Sequence, residues 1–167
     1  MGLEEFNTAE PAAAAAVVRV WADIPTWVDS VVAGRPYADV ASVEAAAAHA
    51  ASDWTGEDLD AALAHHPRIG QKVSGQGQEA AASRREQASM GGASTELAEA
   101  MAEANAAYEE RFGRIFLIRA AGRSPEEMLA EIRRRLDNDN ISEAAEAVEQ
   151  LRQIALLRLR QALGDPS

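Results

Sequence analysis

Residues 124–136 read SPEEMLAEIRRRL, and the first four of them decide the fold. Ser124 has the side chain of a helix N-cap, and Pro125 suits the first helical position, where a missing N–H costs nothing. Glu127 stands three residues after the cap, as in a capping box. The spacing predicts a helix to about Leu136. Similar punctuation recurs in both directions from this stretch. Downstream, Ser142 starts a last helix with Ile154, Leu157 and Leu163 as buried candidates, closed by Gly164. Upstream, Ser94 or Thr95 opens a long helix to about Phe112, ended by Gly113. Between the two lies the compact apolar run Ile115-Phe116-Leu117-Ile118, too short to tell a strand from a buried extended segment. Further upstream, a helix from Glu79 to about Ser89 stops at Gly91-Gly92, after a loop from Arg68 to Gln78. Thr55 with Asp58 resembles a capping box for a helix from Gly56 to about His65, stopped by Pro67. Ser42 caps a helix to about Ser52, and Pro25-Thr26 start one with Trp27, Val28, Val31 and Val32 at helical spacing, ended by Gly34-Arg35-Pro36. Asn7 or Thr8 caps the first, with Pro11 in its opening turn and its end near Asp23.

Alanine is the commonest residue, in runs such as Ala12–Ala16 and Ala45–Ala48, and it has the best intrinsic helix propensity. No internal repeat or linker divides the chain. The expectation is an all-α fold, a single-domain helical bundle of about seven to nine helices over residues 1–167.

Composition excludes several functions. The net charge is −11, so a nucleic-acid backbone or an anionic membrane surface would be repelled. A small anion held by a few local arginines is compatible with that charge. Only Lys72 is lysine, which leaves a Schiff-base mechanism one candidate. The absence of cysteine removes disulfides, thiolate nucleophiles, zinc thiolate sites and iron–sulfur clusters. No apolar run approaches the ~20 residues of a membrane span. Met1-Gly2-Leu3-Glu4-Glu5 is acidic where a secretory signal is basic, and the chain ends in Gly164-Asp165-Pro166-Ser167 rather than a peroxisomal address. A cytoplasmic protein is expected.

Candidate chemistry concentrates in two stretches. His65-His66-Pro67-Arg68-Ile69-Gly70 lies at a helix C-terminus, where the dipole favours a protonated imidazole that can act as an acid near neutrality. In its plainer role such a histidine only caps the last carbonyls. Ser83, Glu86 and Gln87 share one helix face, which carries a hydroxyl, a carboxylate and an amide. Such a face is otherwise a solvated stripe. A Glu86–imidazole pair would favour the charged imidazolium. Rival motifs are weaker. Gly70 to Gly75 has phosphate-loop spacing, but Gln76 stands where lysine is needed. His49, His65 and His66 are the only histidines, and adjacent helical positions diverge by ~100°, so no metal site is expected. No Gly-x-Ser-x-Gly turn exposes a serine. Arg133-Arg134-Arg135, flanked by Glu131 and Asp137, reads as a solvated, salt-bridged face.

Three runs together are more specific than any one of them. Ala64-His65-His66-Pro67-Arg68-Ile69-Gly70, Ser83-x-x-Glu86-Gln87 and Asn105-x-x-Tyr108-x-x-x-Phe112-Gly113-x-x-Phe116 resemble 2-oxo-4-hydroxy-4-carboxy-5-ureidoimidazoline (OHCU) decarboxylase. Flanking matches are Phe6-Asn7, Trp27-Val28, Arg35-Pro36-Tyr37, Arg135-Leu136 and Ile154-Ala155-Leu156-Leu157-Arg158-Leu159, so the resemblance covers essentially the whole chain. It departs where the family commonly has Phe-Gly-Phe-Pro-Phe and this chain has Phe112-Gly113-Arg114-Ile115-Phe116, and where Tyr37 replaces a frequent Phe. The resemblance implies an all-α homodimer that needs no cofactor and makes (S)-allantoin in uric acid breakdown. It implies His66 as general acid/base and Glu86 as the group that orients and charges it. Pro67, Ser83, Gln87, the backbone of Phe116, Leu117 and Ile118, and Arg158 would bind substrate, with no metal, nucleic acid or membrane partner. Two other functions fit less of the pattern. One is a related decarboxylase or lyase acting on a similar ring acid. The other is a helical interaction module whose acidic surface docks a basic partner, which needs neither His66 nor Glu86.

Overall fold

The computed structural model describes residues 1–64 and 94–164. Among them stand eight helices and no strand, as the alanine-rich, cap-punctuated sequence requires. They are α1 (Leu3–Thr8), α2 (Pro11–Trp21), α3 (Pro25–Ala33), α4 (Val40–Ala51), α5 (Gly56–Leu63), α6 (Thr95–Phe112), α7 (Pro125–Arg135) and α8 (Asn140–Leu163). The expected loop from Arg68 to Gln78, the helix from Glu79 to Ser89 and the Gly91-Gly92 stop lie outside the described residues.

Several helix ends follow the side chains that predict them. Ser124 accepts from the Glu127 amide at 3.1 Å and Ser94 from the Leu97 amide at 3.1 Å. Thr55 and Asp58 make the reciprocal capping box, amide to side chain in both directions. Gly113 ends α6 at φ 71°, a left-handed conformation that spares the chain the Cβ penalty.

At two helix starts the cap stands about one turn earlier than expected. Asp39, not Ser42, caps α4: its carboxylate accepts from the Ser42 amide at 2.7 Å and also from the Ser42 hydroxyl. Asp139, not Ser142, stands at the same place before α8, accepting from the Ser142 amide at 2.7 Å. A carboxylate outcompetes a hydroxyl here because it accepts both backbone and side-chain donors while lying at the positive helix end. At the N-terminus an extra short helix, α1, occupies the residues expected to cap α2. Thr8 turns its hydroxyl back to the Glu4 carbonyl, and α2 starts after Glu10 without a side-chain cap and ends at Trp21.

By internal contacts the chain forms two compact units, Met1–Ala62 with Arg152–Ser167, and Leu63–Leu151. In the first, α2 packs on α3 and α3 on α4. Its core includes Phe6, Val18, Trp21, Val28, Val31, Val43 and Leu159. Leu163 and Ile154 are buried as expected, whereas Leu157 is only partly so. The Phe6 and Trp21 rings lie 5.8 Å apart, and Trp27 meets Trp54 edge-on at 5.3 Å. Orphan carbonyls at helix ends are taken by side chains. Arg35 Nη1 donates to Phe6 O at 2.7 Å and Ala9 O at 2.8 Å, and Arg152 Nε donates to Ala51 O at 2.9 Å. Asn7 pairs twice with the Tyr37 backbone, donating to its carbonyl and accepting from its amide.

In the second unit α6 packs on α7 around Met101, Ala104, Tyr108, Phe116, Ile118, Met128 and Ile132. Residues 115–120 run between α6 and α7 without regular structure. The apolar run is therefore a buried extended segment rather than a strand.

Candidate active site

Of the residues expected to bind substrate, Phe116, Leu117 and Ile118 share this extended segment and are buried. An extended backbone with no neighbouring strand must find its hydrogen bonds among side chains. Arg135 Nη1 donates to the Leu117 carbonyl at 2.8 Å. Gln150 Oε1 accepts from the Arg119 amide at 2.8 Å, and Arg123 Nε donates to the Arg119 carbonyl at 2.9 Å. The segment is thus pinned from α7, α8 and the turn before α7.

Arg135 corrects one expectation. Arg133 and Arg134 are the solvated members of the arginine run, and Arg134 pairs with Glu131 at 2.8 Å and with Glu146 at 2.6 Å. Arg135 faces inward with 2% of its surface exposed and ion-pairs with Glu143, which is fully buried. The helix turns adjacent side chains by ~100°, so one residue of a charged run can enter the core while its neighbour stays wet. The guanidinium also lies over the Phe116 ring, 4.5 Å from its centroid, and the Tyr108 hydroxyl donates to the same Glu143 oxygen. Asn138 Nδ2 donates to the other carboxylate oxygen at 3.0 Å. Burial, then the hydrogen bond to the Glu143 carboxylate, push the Tyr108 phenol well above its ordinary value. Tyr108 therefore stays a proton-bearing donor at any physiological pH. The sequence named Tyr108 and Arg135 only as motif matches and gave no sign of Glu143 or Asn138. Tyr108 and Glu143 are 35 residues apart, so no helical or strand spacing links them.

Arg158, on the later half of α8, belongs to the first unit. It is 5% exposed, and Nη1 donates to the Val20 carbonyl at 2.6 Å. That carbonyl is one of the orphan acceptors in the last turn of α2, which a cation complements. His66, Glu86, Pro67, Ser83 and Gln87 lie outside the described residues, as do His65, Arg68 and Lys72. A separate cleft of about 670 Å³ in the first unit is lined by Trp27, Tyr37, His49, Asp53 and Trp54 among others, and by none of the expected site residues that are described. Among the described residues no group of three or more His, Asp or Glu side chains stands together as a metal would need, and no helix is long and apolar enough to cross a membrane.

Comparison with known proteins points to one class. A protein from Amia calva called 2-oxo-4-hydroxy-4-carboxy-5-ureidoimidazoline decarboxylase is 30% identical over 145 residues, 86% of this chain and 83% of that one. One of the same name from Haloferax volcanii is 30% identical over 129 residues, covering 76% and 74%. A crystal structure of OHCU decarboxylase in the presence of (S)-allantoin superposes with a TM-score of 0.75 at 23% identity, over 94% of this chain and 100% of the other. A crystal structure of (S)-allantoin synthase gives 0.68 at 15% identity, over 98% of this chain and 54% of the other, and like the first it speaks for the fold. The class is that of the all-helical carboxy-lyases, so the chain is an enzyme. The sequence profile of OHCU decarboxylase matches residues 7–160, and the chain belongs to that family.

Proposed function

We propose that this chain is a cytoplasmic, cofactor-independent homodimer that removes CO₂ from OHCU and delivers (S)-allantoin. Family membership carries the coarser statement, decarboxylation in uric acid degradation. The observation that supports the proposal is the family match over residues 7–160, a range that includes His66, Glu86 and Arg158. Residues 1–167 act as one OHCU decarboxylase-like domain.

The substrate explains the economy of the residue set. Its carboxylate is β to a ring C=N bond. When the bond to CO₂ breaks, the electron pair forms a ring C=C bond and the imine nitrogen takes up the charge. The substrate is its own electron sink. Protonation of the ring carbon that bears the ureido group then fixes the product's handedness, while the neighbouring hydroxyl becomes a carbonyl and its proton goes to the ring nitrogen that took up the charge. His66 is the general acid/base that serves one face, and Glu86 orients it and keeps it charged. Arg158 contacts a ring or ureido oxygen rather than the leaving carboxylate, because tight binding there would stabilise the ground state. Pro67, Ser83, Gln87 and the backbone of Phe116, Leu117 and Ile118 hold the ureido and ring edges. Supporting this role, the Leu117 carbonyl and both backbone polar groups of Arg119 are already held by side chains, so the segment is braced before a ligand arrives.

Freshly generated OHCU decays slowly on its own to racemic allantoin. The protein is expected to accelerate the loss of its ultraviolet signal and to give one enantiomer by circular dichroism, and His66→Asn to abolish both. A racemic product at the spontaneous rate from the unaltered protein would sink the assignment. Sedimentation equilibrium tests the dimer, and limited proteolysis tests the single domain.

A further inference from the structure

We infer that Arg135 is a positioning residue for this reaction, acting through the Leu117 carbonyl, with Glu143 as the group that fixes Arg135 in turn. The inference rests on the proposed decarboxylase function, in which the backbone of residues 116–118 binds substrate. Arg135 is the one described side chain that bonds the backbone within those three residues, at 2.8 Å. Its guanidinium is held on three sides: by Glu143 through Nε at 2.9 Å, by the Phe116 ring, and by the Leu117 carbonyl. Glu143 is held in turn by Tyr108 and Asn138. The carboxylate can therefore not swing away and release the guanidinium.

Stability alone is a poor reason for this arrangement. Both charges are buried, and a buried ion pair repays its desolvation only when its geometry is excellent, so well-packed apolar residues of similar size often do as well. What apolar residues cannot supply is a directed donor to the Leu117 carbonyl. That bond sets the rotation of the Leu117–Ile118 peptide and hence the direction of the Ile118 N–H. Arg135 lies in the core beneath the segment and reaches the reaction through this peptide plane.

The test compares Arg135→Lys with Arg133→Ala, an exposed neighbour, as control. Lysine keeps the charge near Glu143 but lacks the forked donor geometry. Two readouts are needed. In amide hydrogen exchange, Ile118 of Arg135→Lys is expected to exchange at least about tenfold faster, with Met101 and Ile132 unchanged. In steady-state kinetics, KM for OHCU is expected to rise about tenfold while kcat stays within about threefold, the mark of lost uniform binding. A role confined to folding would lower kcat in step with the folded fraction and leave KM alone, and that result overturns the inference. So does unchanged exchange at Ile118. If Arg135→Lys fails to fold, Arg135→Met with Glu143→Gln removes both charges together and is read in the same two ways. Should the unaltered protein leave OHCU to its spontaneous decay, the decarboxylase function fails, while exchange at Ile118 still decides whether Arg135 clamps the segment.

Discussion

Asp39 and Asp139 do the same work at two helix starts, and they make the clearest claims about single side chains. Each accepts hydrogen bonds from the serine three residues on, and those bonds hold each carboxyl below its ordinary value of 3.8. Hydrogen bonds from Arg160 and Arg134 likewise lower Glu44 and Glu146 from 4.5. A carboxylate whose folded pKa is depressed contributes stability that is fully present above its unfolded value. That stability is lost as pH falls through the folded one. The urea midpoint is therefore expected to be flat from neutrality to about pH 5 and to fall below the ordinary carboxylate range. Asp39→Ala and Asp139→Ala should lower the neutral midpoint and make the acid branch shallower. An unchanged acid branch in both variants would show that the caps do not govern it. Gly113 offers a test free of side-chain contacts, because a Cβ there meets nothing within 4 Å. Gly113→Ala at φ 71° is expected to cost about 1 kcal/mol, all of it backbone strain, as read by thermal unfolding.

At the scale of elements, the sequence was legible wherever a single residue type forces the backbone. Ser94, Thr55 and Ser124 cap helices because their oxygens reach the third amide on, and that reach is local. Sequence does not separate Asp39 from Ser42 or Asp139 from Ser142, because both ends of such a pair look like caps and only geometry shows which one accepts. The run Ile115–Ile118 was illegible for a different reason. Four apolar residues suit a strand, a helix or an extended segment equally, and what decides is whether distant polar groups can serve the backbone. Here Gln150 and Arg135 do so, from 31 and 18 residues away in the sequence. The segment proposed to bind substrate is thus nameable only through family resemblance, and its supports only through the fold. Arg135 illustrates the limit, since a run of three arginines says nothing about which one turns inward. Gln150→Ala, which removes the acceptor for the Arg119 amide, is expected to destabilise the chain by about 0.5–1.5 kcal/mol. It should also speed exchange at Arg119 before the helices around it. Slow exchange at Arg119 in that variant would mean that the segment is held by packing alone.

Over the whole molecule the dominant quantity is charge. With a net charge of −11 and a single lysine, the protein's distant field opposes any anion that approaches. The proposed substrate is a carboxylate, so long-range repulsion and short-range attraction by arginine act against each other. Salt separates them. Raising ionic strength from about 0.01 M to about 0.15 M shortens the Debye length from about 30 Å to about 8 Å. That removes most of the distant repulsion but screens a buried guanidinium such as Arg158, at 5% exposure, far less. kcat/KM for OHCU is therefore expected to rise over this range, by less than about tenfold, with kcat unchanged because the bound complex no longer feels the distant field. An acidic docking module would behave oppositely, since attraction to a basic partner weakens as salt is added. A kcat/KM that falls steadily with salt would mean that cations near the entrance outweigh the net charge and steer the substrate in. Where kcat/KM rises with salt, Arg158→Gln is expected to keep that trend while lowering kcat/KM at every ionic strength, because the proposed role of the residue is at contact distance and not through the field of the whole molecule.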